Sequence, residues 1–196
     1  METIISFVRH GEVSSSVFYG RLPWIGLNSL GRKQAGAAAR VLDEINITAI
    51  FSSPMLRTRQ TARIIAGRHA GLKLSTSSLL NEVYSPFDGT PWQVIESRKW
   101  DAYTGTSAPY EQPQDVVRRV NKFIAAKIKQ FPGGRLVAIT HGDLIAFLVL
   151  AAQGRPLTVD EKQKMRYPLQ GSITTFTFKD GNLNNPGFTY CQPEMI

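Results

Sequence analysis

Residues 136–143 read Leu136-Val137-Ala138-Ile139-Thr140-His141-Gly142-Asp143. Four consecutive apolar residues closed by a β-branched threonine describe a strand covered on both faces, as in a parallel sheet held between helices. The run hands over to His141-Gly142 and then to an apolar helix, Leu144 to Ala152. The N-terminal stretch repeats the arrangement, because Ile4, Ile5, Phe7 and Val8 form a second buried run that ends at Arg9-His10-Gly11. Two of the three histidines therefore follow a buried strand and precede a glycine. In open α/β sheets ligands collect beyond the carboxyl ends of the strands, so both imidazoles are expected at one sheet edge. The glycines, Gly142 among them, let another group approach the backbone.

Outward from these two strands, apolar spacing predicts a helix over Leu27–Ile45 with Asn28 or Ser29 as N-cap, then a strand over Ile47–Phe51. Ser52-Ser53-Pro54 leads into a helix from Met55 to about Arg68, with Pro54 in its first turn, and Leu72–Leu74 reads as a third strand. From Ser75 to Gln112 periodicity is poor and Pro86, Gly89, Pro91, Gly105 and Pro109 punctuate aromatic-rich sequence, with one helix over Trp92–Trp100. Such an excursion in a small domain marks a binding or covering loop. Pro113 and Asp115 open the clearest helix, with Val116, Val120, Phe123, Ile124 and Ile128 on one face until Pro132-Gly133-Gly134. Ser172–Phe178, a turn at 179–182 and a strand near Phe188–Cys191 form a hairpin. The alternation predicts one α/β domain over 1–196, three-layer α/β/α with a mostly parallel central sheet.

Composition agrees. The 196 residues are 42% apolar and 19% charged, ordinary for one soluble domain. No run reaches the roughly 18 apolar residues of a membrane helix, so no membrane partner is expected. The single cysteine, Cys191, excludes an intramolecular disulfide or a cysteine-based metal cluster, and METIISFVRH lacks a signal-peptide pattern; both fit a cytoplasmic protein. The oligomeric state is left open.

The net charge of +8 points to an anionic partner, whether nucleic acid, lipid or a small phosphorylated molecule. Its distribution is sharper, since Ile45–Asn81 holds no acidic residue but contains Arg57, Arg59, Arg63, Arg68 and Lys73. Arg9 adjoins His10, and Arg57 falls in the first turn of a helix, where free N–H groups and a guanidinium fork favour phosphate oxygens. Arg59 is a candidate helper. His69, in a basic helix tail, reads as a surface residue or as a complement to the helix C-terminal dipole.

The ordered set Arg9-His10-Gly11-Glu12, Gly20-Arg21, Leu27 to Ala35, Ser53-Pro54-Met55-Leu56-Arg57-Thr58-Arg59-Gln60-Thr61-Ala62 and Thr140-His141-Gly142 resembles the histidine phosphatase superfamily, the phosphoglycerate mutase-like proteins, over nearly the whole chain. The resemblance implies a phosphoglycerate mutase-like fold and a metal-independent phosphatase of small phosphorylated metabolites, using no cofactor. It implies His10 as the nucleophile that forms a phosphohistidine, Arg9, Arg57 and His141 around the phosphoryl oxygens, and Glu82 as general acid/base. Gly20, Arg21, Arg59, Ser16 and Gly142 are the substrate-binding candidates, and 83–112 would frame the substrate beyond its phosphate. There Tyr84, Phe87, Trp92, Trp100, Tyr103 and Tyr110 are available to stack a ring or to pack a core.

Three departures stand out. Val13 and Ser16 replace the family's usual threonine and asparagine, the stretch Val83–Gly89 lacks its usual glycine spacing, and Asp143 replaces a glycine, where it is available to cap the following helix. A phosphoglycerate mutase-like phosphotransferase and a weakly active phospho-ligand-binding relative are the alternatives. A nucleic-acid reader lacks any reading motif. A metal hydrolase lacks close-spaced ligands such as HExxH.

Overall fold

Side-chain alternation along the parallel strands feeds two cores, one on each side of the sheet. In the computed structural model, which describes residues 1–184 and 186–195, Ile5, Phe7, Leu136 and Ala138 point to one face while Val8, Val137 and Ile139 point to the other. The elements run β1 (Glu2–Arg9), α1 (Ser29–Leu42), β2 (Ala49–Ser52), α2 (Leu56–Ala66), β3 (Leu74–Thr76), a 3₁₀ turn at Ser78–Leu80, α3 (Trp92–Ser97), α4 (Pro113–Gln130), β4 (Arg135–Thr140), α5 (Gly142–Ala152), α6 (Val159–Lys164), β5 (Ile173–Lys179) and β6 (Gly187–Cys191). The sheet order is β3-β2-β4-β1-β5-β6. The first four strands are parallel, and β5 and β6 are antiparallel additions at one edge.

Helices α1 and α2 bury Ala38, Ala39, Leu42, Ala62 and Ile65 against one face. On the other, α4 and α5 bury Val116, Val120, Phe123, Leu144 and Phe147. The expected three-layer α/β/α architecture is therefore present. Among the described residues no helix is long and apolar enough to cross a membrane.

Several boundaries differ from the sequence expectation. The third strand covers Leu74–Thr76 rather than Leu72–Leu74, because Leu74 to Thr76 pair with Ile50 to Ser52. Pro54 precedes the cap residue Met55 and lies outside α2. Helix α3 stops at Ser97, ahead of Lys99 and Trp100, which both adopt left-handed backbone conformations (φ 53° and 62°). Helix α5 starts at Gly142, with His141 at its N-cap, so Asp143 lies in the first turn and is not the cap. His69 is largely covered, 3.9 Å from Asp43, rather than a free surface residue. Helix α6, Val159-Asp160-Glu161-Lys162-Gln163-Lys164, has only Lys162 buried and so carries no apolar face to read.

Candidate active site

The β1–β4 ladder sets the site. Arg9 pairs with Thr140 in parallel register, and the next residue on each strand is a histidine. Their rings, both buried, lie 5.3 Å apart at an angle of 66°. The His10 backbone N–H donates to the Thr140 carbonyl.

His10 Nδ1 lies 2.7 Å from the Gly11 carbonyl oxygen. A carbonyl only accepts, so Nδ1 carries the proton and Nε2 keeps its lone pair. Burial, then the charges of Arg57 and Arg9, push the His10 pKa well below its ordinary value. The imidazole is neutral and nucleophilic at neutral pH. The loop that carries it is pinned from below: Gly11 N–H donates to Thr61 Oγ1, Glu12 N–H donates to Gln34 Oε1, and a Cβ on Gly11 would stand 2.1 Å from the Gly31 carbonyl oxygen. Only glycine permits this approach of the loop to the first turn of α1. Asn28 caps that turn through Gly31 N–H.

His141 is held at both ring nitrogens. Arg57 Nη2 lies 3.3 Å from Nδ1, and since a guanidinium only donates, Nδ1 accepts. Nε2 then carries the proton and donates to Ser53 Oγ at 3.0 Å, and Ser53 passes its own proton to Asn81 Oδ1. Burial first and Arg57 second push this imidazole too well below the ordinary histidine range.

Arg57 is fully buried, an arrangement its partners make possible. It donates to the carbonyls of Leu22 and Gly20 and lies 4.7 Å over the Tyr19 ring. Arg9 donates to the Pro168 carbonyl and lies 5.1 Å over the Tyr167 ring. The Nε atoms of Arg9 and Arg57 are buried and meet no acceptor. Two guanidiniums beside two neutral imidazoles make this a centre of positive potential.

Glu82 completes the group as its titratable acid. Burial, then the Asp143 carboxylate, raise its pKa to about 7, against the Val83 N–H bond and the charges of Arg57 and Arg9, which lower it. Asp143 is buried on α5, where its carboxylate accepts from Tyr103 (2.7 Å), Lys162 (2.8 Å) and Tyr167 (2.7 Å). Burial alone would raise its pKa, but the Lys162 charge and these three hydrogen bonds hold it below the ordinary range. Burial and this carboxylate in turn keep both phenols protonated, far above their ordinary range.

The structure thus brings Arg9, His10, Arg57, Glu82 and His141 together. Gly20 contributes its carbonyl to Arg57, and a Cβ there would strike the Asp88 carboxylate. Gly142 leaves room for the Tyr167 hydroxyl, 2.3 Å from where its Cβ would stand. Arg21 is tied elsewhere, donating to the Glu82 carbonyl and to Glu111 Oε2, both at 2.8 Å. Ser16 is exposed and makes no hydrogen bond to a described residue. Arg59 is turned away into a separate groove with Pro54, Arg63, Leu74 and Thr76, because two residues along a helix rotate a side chain about 200° from Arg57. Sequence reasoning missed Tyr19, Ser53, Asn81, Tyr103's bond to Asp143, Lys162 and Tyr167. Ser53 was readable as a hydroxyl just ahead of Arg57, whereas Tyr167 lies in an irregular stretch with no pattern to flag it. Among the described residues no three His, Cys, Asp or Glu side chains gather where a metal ion would be held.

Comparison with known proteins agrees with this fold. The family model described as histidine phosphatase superfamily (branch 1) matches residues 5–185. An uncharacterized protein of Mycobacterium tuberculosis is 30% identical over 206 aligned positions, covering 100% of this chain and 98% of its own. Phosphoglycerate mutase-like protein 4 of Arabidopsis thaliana is 29% identical over 192 positions, covering 91% of this chain and 80% of its own. Among solved structures, the mycobacterial glucosyl-3-phosphoglycerate phosphatase complexed with VO3 superposes with a TM-score of 0.74 at 26% identity, over 88% of this chain and 92% of that one. With the matched model spanning almost every element and the paired histidines at the carboxyl ends of β1 and β4, the chain belongs to the histidine phosphatase superfamily, branch 1.

Proposed function

We propose that this protein is a phosphatase that hydrolyses small phosphomonoesters through a phosphohistidine on His10. The observation that carries the reading is the His10 imidazole itself: neutral, with Nδ1–H fixed on the Gly11 carbonyl and Nε2 left with its lone pair among cations. Nε2 attacks phosphorus, an N–P bond forms and the P–O bond to the leaving alcohol breaks. Arg9, Arg57 and the N-terminus of α5 stabilise the charge on the phosphoryl oxygens. Glu82, with a pKa of about 7, is protonated often enough to give its proton to the leaving oxygen. The resulting carboxylate accepts a proton from water as the water oxygen attacks phosphorus, the N–P bond breaks and phosphate leaves. His141, locked between Arg57 and Ser53, keeps the guanidinium aimed. The region 83–112 surrounds the leaving group, and the mycobacterial relative's complex with VO3, a phosphate-like oxyanion, fits a site of this kind.

Brief reaction with a phosphate-labelled aryl ester and acid-free quenching checks the reading. Wild-type protein is expected to carry an acid-labile, base-stable label that is absent in His10→Ala, which should also lose turnover. Retained turnover in that variant overturns the nucleophile assignment.

A further inference from the structure

The aromatic side chains of the 83–112 excursion sort into two groups. Tyr103 is buried on Phe147 with its hydroxyl on Asp143, Phe87 lies under Arg98, and Tyr84 pairs with Tyr110. Tyr103 and Phe87 are packed in or against the core, and Tyr84 and Tyr110 lie together beside Arg21, which stands 5.2 Å over the Tyr84 ring. Trp92, half-buried against the core beside Phe18, and Trp100 extend a line of rings that starts at His10: His10 to Tyr19 is 6.1 Å, Tyr19 to Trp92 is 5.4 Å, and Trp92 to Trp100 is 5.2 Å. The line climbs from the buried imidazole to Trp100, which is 50% exposed.

The outer end of this line is held in place. Trp92 Nε1 donates to the Ser15 carbonyl. Lys99 and Trp100 occupy left-handed conformations that L-residues avoid, and two side chains of α6 fix them there: Gln163 donates to the Lys99 carbonyl and Lys162 to the Trp100 carbonyl. A strained, braced turn that leaves half an indole in solvent is the mark of a ring placed for contact.

The cations around this group are meanwhile engaged. Arg21 is paired with Glu111 and Lys162 with Asp143, while Arg9 donates to the Pro168 carbonyl and Arg57 to the Gly20 carbonyl. None of these four cations is left over for a second negative charge on the substrate.

We propose, building on the phosphatase reading, that Tyr19, Trp92 and Trp100 form a stacking wall for the leaving group, and that the preferred substrates are monoesters of uncharged, ring-bearing alcohols rather than phosphorylated acids. Ring stacking on an exposed indole changes affinity by about tenfold.

The test compares kcat/KM for 2-phenylethyl phosphate and propyl phosphate, two primary-alcohol esters that differ in the ring, with 3-phosphoglycerate as a third substrate. The wild type is expected to prefer the ring ester by about tenfold and to use 3-phosphoglycerate at least tenfold less well than the ring ester. In Trp100→Ala the ring preference should fall to within about twofold of unity, and Trp100→Phe should restore most of it. The matching phosphonates, as competitive inhibitors, should show the same ordering without turnover. A wild-type ratio near one, a ratio unchanged in Trp100→Ala, or 3-phosphoglycerate as the best of the three overturns the stacking wall while leaving the phosphatase reading intact. Failure of every ester to label His10 overturns both.

Discussion

In the proposed mechanism, a carboxyl group with a pKa of about 7 and a histidine held neutral divide the chemistry between two residues. Glu82 has to be protonated for the first step, so kcat/KM for an alkyl phosphate should fall by about tenfold per unit above pH 7, where that proton is lost. Glu82→Gln cannot donate, and should lower alkyl ester hydrolysis by about a hundredfold and remove the alkaline limb. An aryl ester with a good leaving group should lose far less. An equal loss on both esters would make Glu82 a binding group only. The same residue illustrates what sequence can carry: resemblance marked position 82, but its acidity depends on burial and then on the Asp143 carboxylate, which helix α5 brings in from about sixty residues along the chain.

Helix α6 is the element that sequence periodicity could not show. Short and polar, it owes its place to Lys162, whose ammonium reaches the buried Asp143 carboxylate and braces the Trp100 turn. Removing one partner of a buried ion pair leaves the other charge uncompensated, so Lys162→Met should destabilise the protein by about 3 kcal/mol or more. Urea unfolding at pH 7 checks this, and a loss below about 1 kcal/mol would mean that the two phenols alone satisfy Asp143. By contrast α4 and β4 were legible nearly to the residue, because an apolar stripe and an uninterrupted apolar run each admit one solution. Both histidines were placed at one sheet edge on the same grounds. Arg21 and Arg59 were not separable from Arg57 by type, since only the direction of each side chain, set by tertiary packing, tells the arginine that meets His141 from a structural tie or an outward-facing charge.

Across the whole molecule the net charge of +8 divides into a few arginines committed to the pocket and its walls and a larger share on the surface, including the outer face of α4 with Arg118, Lys122 and Lys129. The surface share steers anionic substrates only over a Debye length, about 8 Å at physiological ionic strength. Raising salt from about 0.02 M to about 0.5 M should therefore lower kcat/KM by about two- to fivefold and leave kcat unchanged. Steady-state kinetics at several salt concentrations check it, and a matching loss of kcat would place the effect inside the pocket.

The parallel register that sets Arg9 beside Thr140 joins the first strand of the chain to one that comes more than a hundred residues later. Neither histidine has its neighbour until that long-range ladder closes, and loop closure of this length is a slow, late event in assembly. During refolding, then, the return of enzymatic turnover is a clock for completion of the central sheet: helices can form early and leave the protein silent, and the first catalytic signal reports that its two distant strands have met.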